Sequence, residues 1–322
     1  MSKLPKRTKK PKSKLLRKEA RAAYLYLIPA FIGLIVLTYI PLIAVFGLSF
    51  FKWGGTGAPE WNGINNYIKL FTTDPYFKES IKVTVYFSLL AVVGSMVYSL
   101  IVAMLLNRKI PARGFFRAVF YLPYVLPAAA VYIGWSWLYN TEWGLFNYIL
   151  SKLGIERLMF VSSSSQVVPS LALIAVWLSG NLIVIFLAGL QNVPRVYHEA
   201  AEIDGASKWT VFVKMVIPLS RSIMAVMVVY SMVAYWNDWF TALIYLRADQ
   251  APLPLVLRNI LIKSSTSASQ SSMVAGGFAE LNKLTEMIKF ASIIVAAAPM
   301  LIVYPFVQKY FEKGFMAGAV KG

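Results

Sequence analysis

The 322-residue chain contains no cysteine, which excludes disulfides, thiolate nucleophiles and thiolate metal sites. Histidine occurs once, at His198. Without an HExxH pair or a cluster of intramembrane carboxylates, a metalloenzyme lacks its parts, and no metal or cofactor is expected. No GxxxxGK[ST] loop occurs, so nucleotide binding through that motif is excluded as well. Acids are scarce: 14 Asp and Glu stand against 32 Lys and Arg, a formal charge of +18. What fills the chain is apolar, 58% hydrophobic residues with a mean hydropathy of +0.61, more than a soluble core requires. The composition is that of an all-α integral membrane protein.

Six stretches are long and apolar enough to cross about 30 Å of hydrocarbon as helices. They run over residues 24–50, 81–106, 115–139, 167–190, 223–246 and 287–310. Basic residues are concentrated in alternate connections. Ten Lys and Arg lie between Lys3 and Arg21, four in the loop at 107–117, four at 191–221 and three from Lys309 onward. These regions hold 21 of the 32 basic and 5 of the 14 acidic residues, a net +16 against +2 for everything else. By the positive-inside rule they face the cytoplasm, with both termini. A charge of this size also suits RNA, but its distribution over alternate loops favours the membrane, and no nucleic-acid partner is expected. Residues 1–23 thus read as a basic cytoplasmic tail, 24–310 as the six-helix domain and 311–322 as a second cytoplasmic tail.

On the outer side, residues 51–80 read as an irregular exposed segment followed by a short helix around Tyr67. The serine-rich patches at 162–165 and 264–272 read as polar connectors. Prolines at 41, 123, 127, 299 and 305 predict kinks, which membrane helices tolerate when neighbours satisfy the freed carbonyls.

The polar stretch 191–219 lies between two apolar segments. Asn192 and Pro194 suit a helix start and Gly205 its termination. Val196, Ala200 and Ile203 fall on one stripe, with Arg195, Glu199 and Glu202 beside it. Small side chains at Ala200, Ala201, Gly205 and Ala206 let a partner approach closely, while the carboxylates supply recognition. An amphipathic loop resting on lipid would share some of this pattern.

Glu199-Ala200-Ala201, three residues, Gly205, nine residues and Met215-Val216-Ile217-Pro218 together resemble the EAA loop of ABC importer permeases, with Met215 for the usual Ile and Ile217 for Leu. The resemblance implies the type I ABC importer permease fold. It also implies that Glu199, Ala200, Ala201, Asp204, Gly205 and Pro218 couple the chain to a cytoplasmic ABC ATPase dimer, with a second permease subunit and an extracytoplasmic solute-binding protein as further partners. Tyr24 to Pro41, Trp61-Asn62-Gly63, Asn66-Tyr67, Gly114 to Arg117 and Tyr121-Leu122-Pro123 look like the first-type subunit of carbohydrate importers. Trp236 to Phe240 and Gln308 to Gly322 are more similar to the second type, whose terminal segment reaches the ATPase dimer. The mixture leaves hetero- and homodimeric pairing open.

For the solute path, Trp236, Asn237, Asp238 and Trp239 are the leading candidates, since indole faces stack on sugar C–H surfaces while amide and carboxylate take hydroxyls. Counting along the fifth helix puts Asp238 about 22 Å from its start, in the outer third. Tyr230, Asn181 and Trp177 are weaker candidates. As an alternative, the two Trp residues are interfacial anchors and Asn237 bonds a neighbouring helix. Arg247 and Arg258 on the outer side leave a phosphorylated polyol possible as cargo. An ion-coupled transporter would use Asp238 to carry its ion, and a membrane scaffold without transport would depend on the basic tail alone.

Overall fold

The computed structural model describes residues 14–53, 57–74, 76–191, 205–270, 288–306 and 308. The fold is organised on α4 (Phe77–Asn107), a 31-residue helix whose buried positions include Ser80, Thr84, Ser88, Ala91, Ser95, Ser99 and Ala103. A stripe of small side chains lets neighbouring backbones approach, the usual basis of helix packing where lipid removes the hydrophobic driving force. The hydroxyls also bond across helices. Ser99 Oγ lies 2.9 Å from Ser179 Oγ, Ser95 Oγ lies 2.7 Å from Tyr235 Oη, and Thr84 Oγ1 accepts from the Leu253 amide at 2.8 Å.

Around α4 stand α5 (Arg113–Val125), α6 (Ala128–Leu138), α7 (Leu145–Lys152), α8 (Val167–Trp177) and α9 (Gly180–Gln191). They are followed by α10 (Arg221–Trp236), α11 (Phe240–Tyr245), α12 (Leu253–Gln270) and α13 (Ile288–Phe306). Among the described residues, three helices are long and apolar enough to span on their own: Arg21–Leu48, Phe77–Asn107 and Ile288–Phe306. The third and fourth expected spans are not continuous helices but bent pairs, α5 with α6 at 98° and α8 with α9 at 49°. The fifth is broken too: α10 stops at Trp236 and the chain re-enters a helix only at Phe240.

The first span comprises α1 (Lys14–Leu34), a π turn at Ile35–Tyr39 and α2 (Ile40–Leu48). Its helix begins inside the stretch expected to be tail. The π turn answers to Pro41: a proline has no N–H to return to the preceding turn, and the wider spacing, with the Ile40 amide bonded to the Ile35 carbonyl, absorbs the irregularity. None of the most apolar window of this span is buried against the rest of the chain.

Beyond α2, where an irregular segment is expected, the chain forms a two-stranded hairpin, β1 (Phe51–Lys52) with β2 (Glu60–Trp61). The expected helix at Tyr67 is present as α3 (Asn65–Thr72). Asn66, fully buried, fastens hairpin to helix by donating to the Ser49 and Phe51 carbonyls, both at 2.8 Å.

The 140–166 connection is also more than a polar link. Asn147 in α7 is 2% exposed; its amide donates to the Leu158 carbonyl and its carbonyl accepts from the Leu158 amide, both at 2.9 Å. Gln250 ties the loop to the 248–250 turn by donating to the Ser164 carbonyl at 2.8 Å. The second serine-rich patch is helical through Gln270, as the end of α12. Asn147→Leu fills the volume but orphans the Leu158 amide and carbonyl. It is expected to cost about 1–3 kcal/mol and to speed proteolytic cleavage within 140–166, while Asn140, half-buried and with its side chain accepting only from the Glu142 and Trp143 amides in solvent-exposed bonds, tolerates replacement better. Unchanged cleavage kinetics for Asn147→Leu would remove Asn147 from this role.

Candidate functional site

The three helix breaks converge. A cavity of about 240 Å³ is lined by Leu126 at the α5–α6 bend, by Leu178 and Ser179 at the α8–α9 bend, and by Asp238 where α10 gives way to α11. Each break has its own cause. Leu126 precedes Pro127 and is held extended at φ −66° and ψ 146°, as a residue before proline must be. At the second, Ser179 is drawn aside: its hydroxyl sits 2.6 Å from the Val176 carbonyl and 2.9 Å from Ser99 Oγ. At the third, Asp238 caps the next helix, accepting from the Thr241 amide at 3.1 Å and lying 2.6 Å from the Thr241 hydroxyl. In a bilayer, backbone freed in this way persists only where it is buried in protein or lines a cavity.

Among the residues expected from sequence to line the path, Asn181, Tyr230 and Asp238 meet in this cavity. Tyr230 is half exposed there. The others go elsewhere. Trp236 is 5% exposed and gives its indole N–H to the Ala296 carbonyl at 3.1 Å, packing with Leu253, Ile288 and Ala291 on the opposite face of α10. It is a core residue and not part of a vestibule wall. Asn237 closes the end of its own helix by donating to the Val233 carbonyl at 2.8 Å. Trp239 is partly exposed, with the Arg258 guanidinium 4.6 Å from its ring centroid. Trp177 lines a separate apolar groove and meets Trp135 edge to face at 5.5 Å. Asp238 does not sit within a continuous fifth helix, since that helix has already ended.

Three tyrosines of the cavity are not among the candidates from sequence: Tyr124, Tyr132 and Tyr235. Tyr235 is fixed by Ser95, and Tyr132 Oη lies 2.7 Å from the Thr241 hydroxyl. A sequence signal exists for one face: Ser231 and Tyr235 stand at i, i+4 near the end of α10, and Asp238 follows at i+7, just past that end.

Of the coupling candidates, Glu199, Ala200, Ala201 and Asp204 lie outside the described residues, as does the 311–322 tail. Gly205 is described. It adopts φ +70°, the left-handed conformation that favours glycine, and among the described residues no heavy atom lies within 4 Å of where a Cβ would stand. Pro218 follows a second π turn, Phe212–Val216, in which the Ile217 amide bonds the Phe212 carbonyl. The arrangement repeats that at Pro41: π turn, isoleucine, proline, leucine.

A match to the family described as binding-protein-dependent transport system inner membrane component covers residues 95–317. The trehalose/maltose transport system permease MalF of Thermococcus litoralis is 30% identical over 217 residues, 66% of this chain and 73% of that protein. The polygalacturonan/rhamnogalacturonan transport system permease YtcP of Bacillus subtilis is 41% identical over a shorter 134 residues, 41% of this chain and 46% of that one. A chain of a bacterial alginate ABC transporter, crystallised with its pentasaccharide-bound periplasmic protein, superposes with a TM-score of 0.71 at 19% identity, covering 92% of this chain and 96% of the other. The last of these speaks to the fold alone. With apolar spans, broken helices around a shared cavity and a family match over more than two thirds of its length, the chain belongs to the inner-membrane permease family of binding-protein-dependent ABC importers.

Proposed function

We propose that the chain is one half of the translocation path of an ATP-driven carbohydrate importer. The observation that carries this reading is the convergence of three helix breaks on one cavity whose lining offers phenols, an amide and a carboxylate. Relatives whose names specify trehalose, maltose and polygalacturonan supply the cargo class. Such a lining suits polyhydroxylated solutes, because hydroxyls both donate and accept and aromatic rings take C–H faces. The other half of the path would come from a second permease subunit. The first span, left uncovered by its own bundle, offers surface for that contact.

On this reading an extracytoplasmic binding protein delivers solute to the outer loops, and ATP binding closes a cytoplasmic ATPase dimer. Segment 192–204, with Gly205 as its terminator, transmits closure to α9 and α10, and the 311–322 tail touches the same ATPase. Both termini are then cytoplasmic. The bundle alternates between two states, each biased by the partner that makes more contact with it.

Affinity purification of the tagged chain from its native membrane, in mild detergent, is expected to recover an ATPase and a permease subunit. A different permease establishes a heterodimer; recovery of this chain alone with the ATPase establishes a homodimer. Absence of any ATPase would overturn the proposal. The path itself is tested by Asn181→Leu combined with Tyr230→Leu. If each side chain contributes one hydrogen bond to the passing solute, of about 1 kcal/mol, uptake falls on the order of tenfold or more with ATPase recovery unchanged. Normal uptake by the double variant would place the path elsewhere.

A further inference from the structure

The cavity wall carries one formal charge among its described residues, and it is negative. Asp238 stands with Tyr124, Tyr132, Tyr230 and Asn181, and neither Lys nor Arg is in the lining. The two outer arginines that left an anionic cargo open do not change this. Arg247 is exposed beyond the end of α11, and the Arg258 guanidinium is stacked on Trp239. We propose that this chain's half of the path admits neutral saccharides and rejects uronic ones, with Asp238 as the discriminating group. The inference rests on the reading of the cavity as the solute path.

Two physical effects oppose a uronic sugar. A sugar carboxylate entering the cavity gives up hydration, and burying an anion is tolerated only where a cation or a dense set of donors replaces the water. This wall offers phenols and one amide, sufficient for hydroxyls and poor for a full charge. The second is Asp238 itself. A carboxylate only accepts hydrogen bonds, so it welcomes the hydroxyl donors of a neutral sugar and opposes a second carboxylate. Its position is enforced. The Thr241 amide and hydroxyl reach its two oxygens at 3.1 and 2.6 Å, and Tyr132 Oη stands 2.7 Å behind the same hydroxyl. With a carboxylate as acceptor, the Thr241 proton points to Asp238 and the Tyr132 proton to Thr241.

The test uses the intact importer with its co-purifying subunits in detergent, without the extracytoplasmic binding protein, and saturation-transfer NMR with two probes of equal length, maltotriose and trigalacturonate. Wild type is expected to bind maltotriose at least about tenfold more tightly than trigalacturonate. Asp238→Asn keeps a good helix cap and should narrow that ratio. Thr241→Val, which frees the carboxylate, should narrow it less. Equal binding of both probes in wild type, lost for both in Asn181→Leu, overturns the inference while leaving the path reading in place. So does an unchanged ratio in Asp238→Asn. If neither probe binds, or binding ignores Asn181→Leu, the path reading falls and takes the inference with it.

Discussion

Gly205→Asp is expected to reduce uptake to background while the protein remains in the membrane at normal abundance. The two halves of that expectation have separate causes. Gly205 is left-handed at φ +70°, and among the described residues no heavy atom lies within 4 Å of the place a Cβ would take. Aspartate and asparagine are the residues that visit this conformation most readily after glycine, so the backbone is retained with little strain. What aspartate adds is charge, next in sequence to Asp204 and close to Glu199 and Glu202. Where segment 192–205 docks on a partner as proposed, a further carboxylate beside these three acids that the partner does not compensate costs several kcal/mol, on the order of a hundredfold or more in coupling. Gly205→Asn separates the two effects, since it fits the same conformation without the charge and should keep a substantial part of the uptake. Gly205→Val, β-branched and strained at positive φ, should lose abundance as well as activity. Transport assays with quantified membrane protein decide the matter, and normal uptake by Gly205→Asp at normal expression would remove this glycine from the coupling surface.

The sequence makes some of this architecture legible and hides the rest for physical reasons. Apolar length locates the spans because the bilayer imposes it. Gly205 is legible because its conformation belongs to the residue type. The bend at Pro127 is expected as a kink, yet 98° is far more than a missing N–H demands; beyond it Trp135 and its neighbours on α6 share a core cluster with α8. The other two breaks contain no proline. One forms because Ser179 trades helix continuity for bonds to Ser99 and its own preceding turn, the other because Asp238 starts a new helix. Such contacts join positions 80 or more residues apart or depend on a three-residue local choice, and periodicity registers neither. The expectation for Trp236 fails for a related reason. Composition cannot tell which face of a helix meets the protein when every face is apolar. The polar face at Ser231, Tyr235 and Asp238 does carry the answer, but abundant tyrosine elsewhere masks it.

Gly180→Val is expected to remove most of the folded protein from the membrane. A Cβ at this position would stand 2.6 Å from the Phe120 carbonyl oxygen, 3.0 Å from Tyr121 Cα and 3.2 Å from the Tyr121 carbonyl oxygen. All three are backbone atoms of α5, and they cannot swing aside as a side chain would. Relief requires α5 and α9 to separate, opening the tight contact from which the cavity wall is built. Overpacking of a close interface costs about 1–3 kcal/mol, and a valine pressed on backbone belongs at the upper end. Gly94 gives the internal comparison. Its Cβ would meet Val176 Cγ2 at 2.6 Å, an equally short approach but to the far end of a side chain that can rotate. Gly134 has nothing within 4 Å among the described residues. Abundance and thermal midpoint, followed by fluorescence-detected size exclusion, should therefore fall most for Gly180→Val, less for Gly94→Ala and least for Gly134→Ala. A Gly180→Val protein as abundant and as heat-resistant as wild type would show that the α5–α9 contact yields easily. In that case the cavity would owe its shape to the bends at Pro127 and Asp238 and not to the close approach at Gly180.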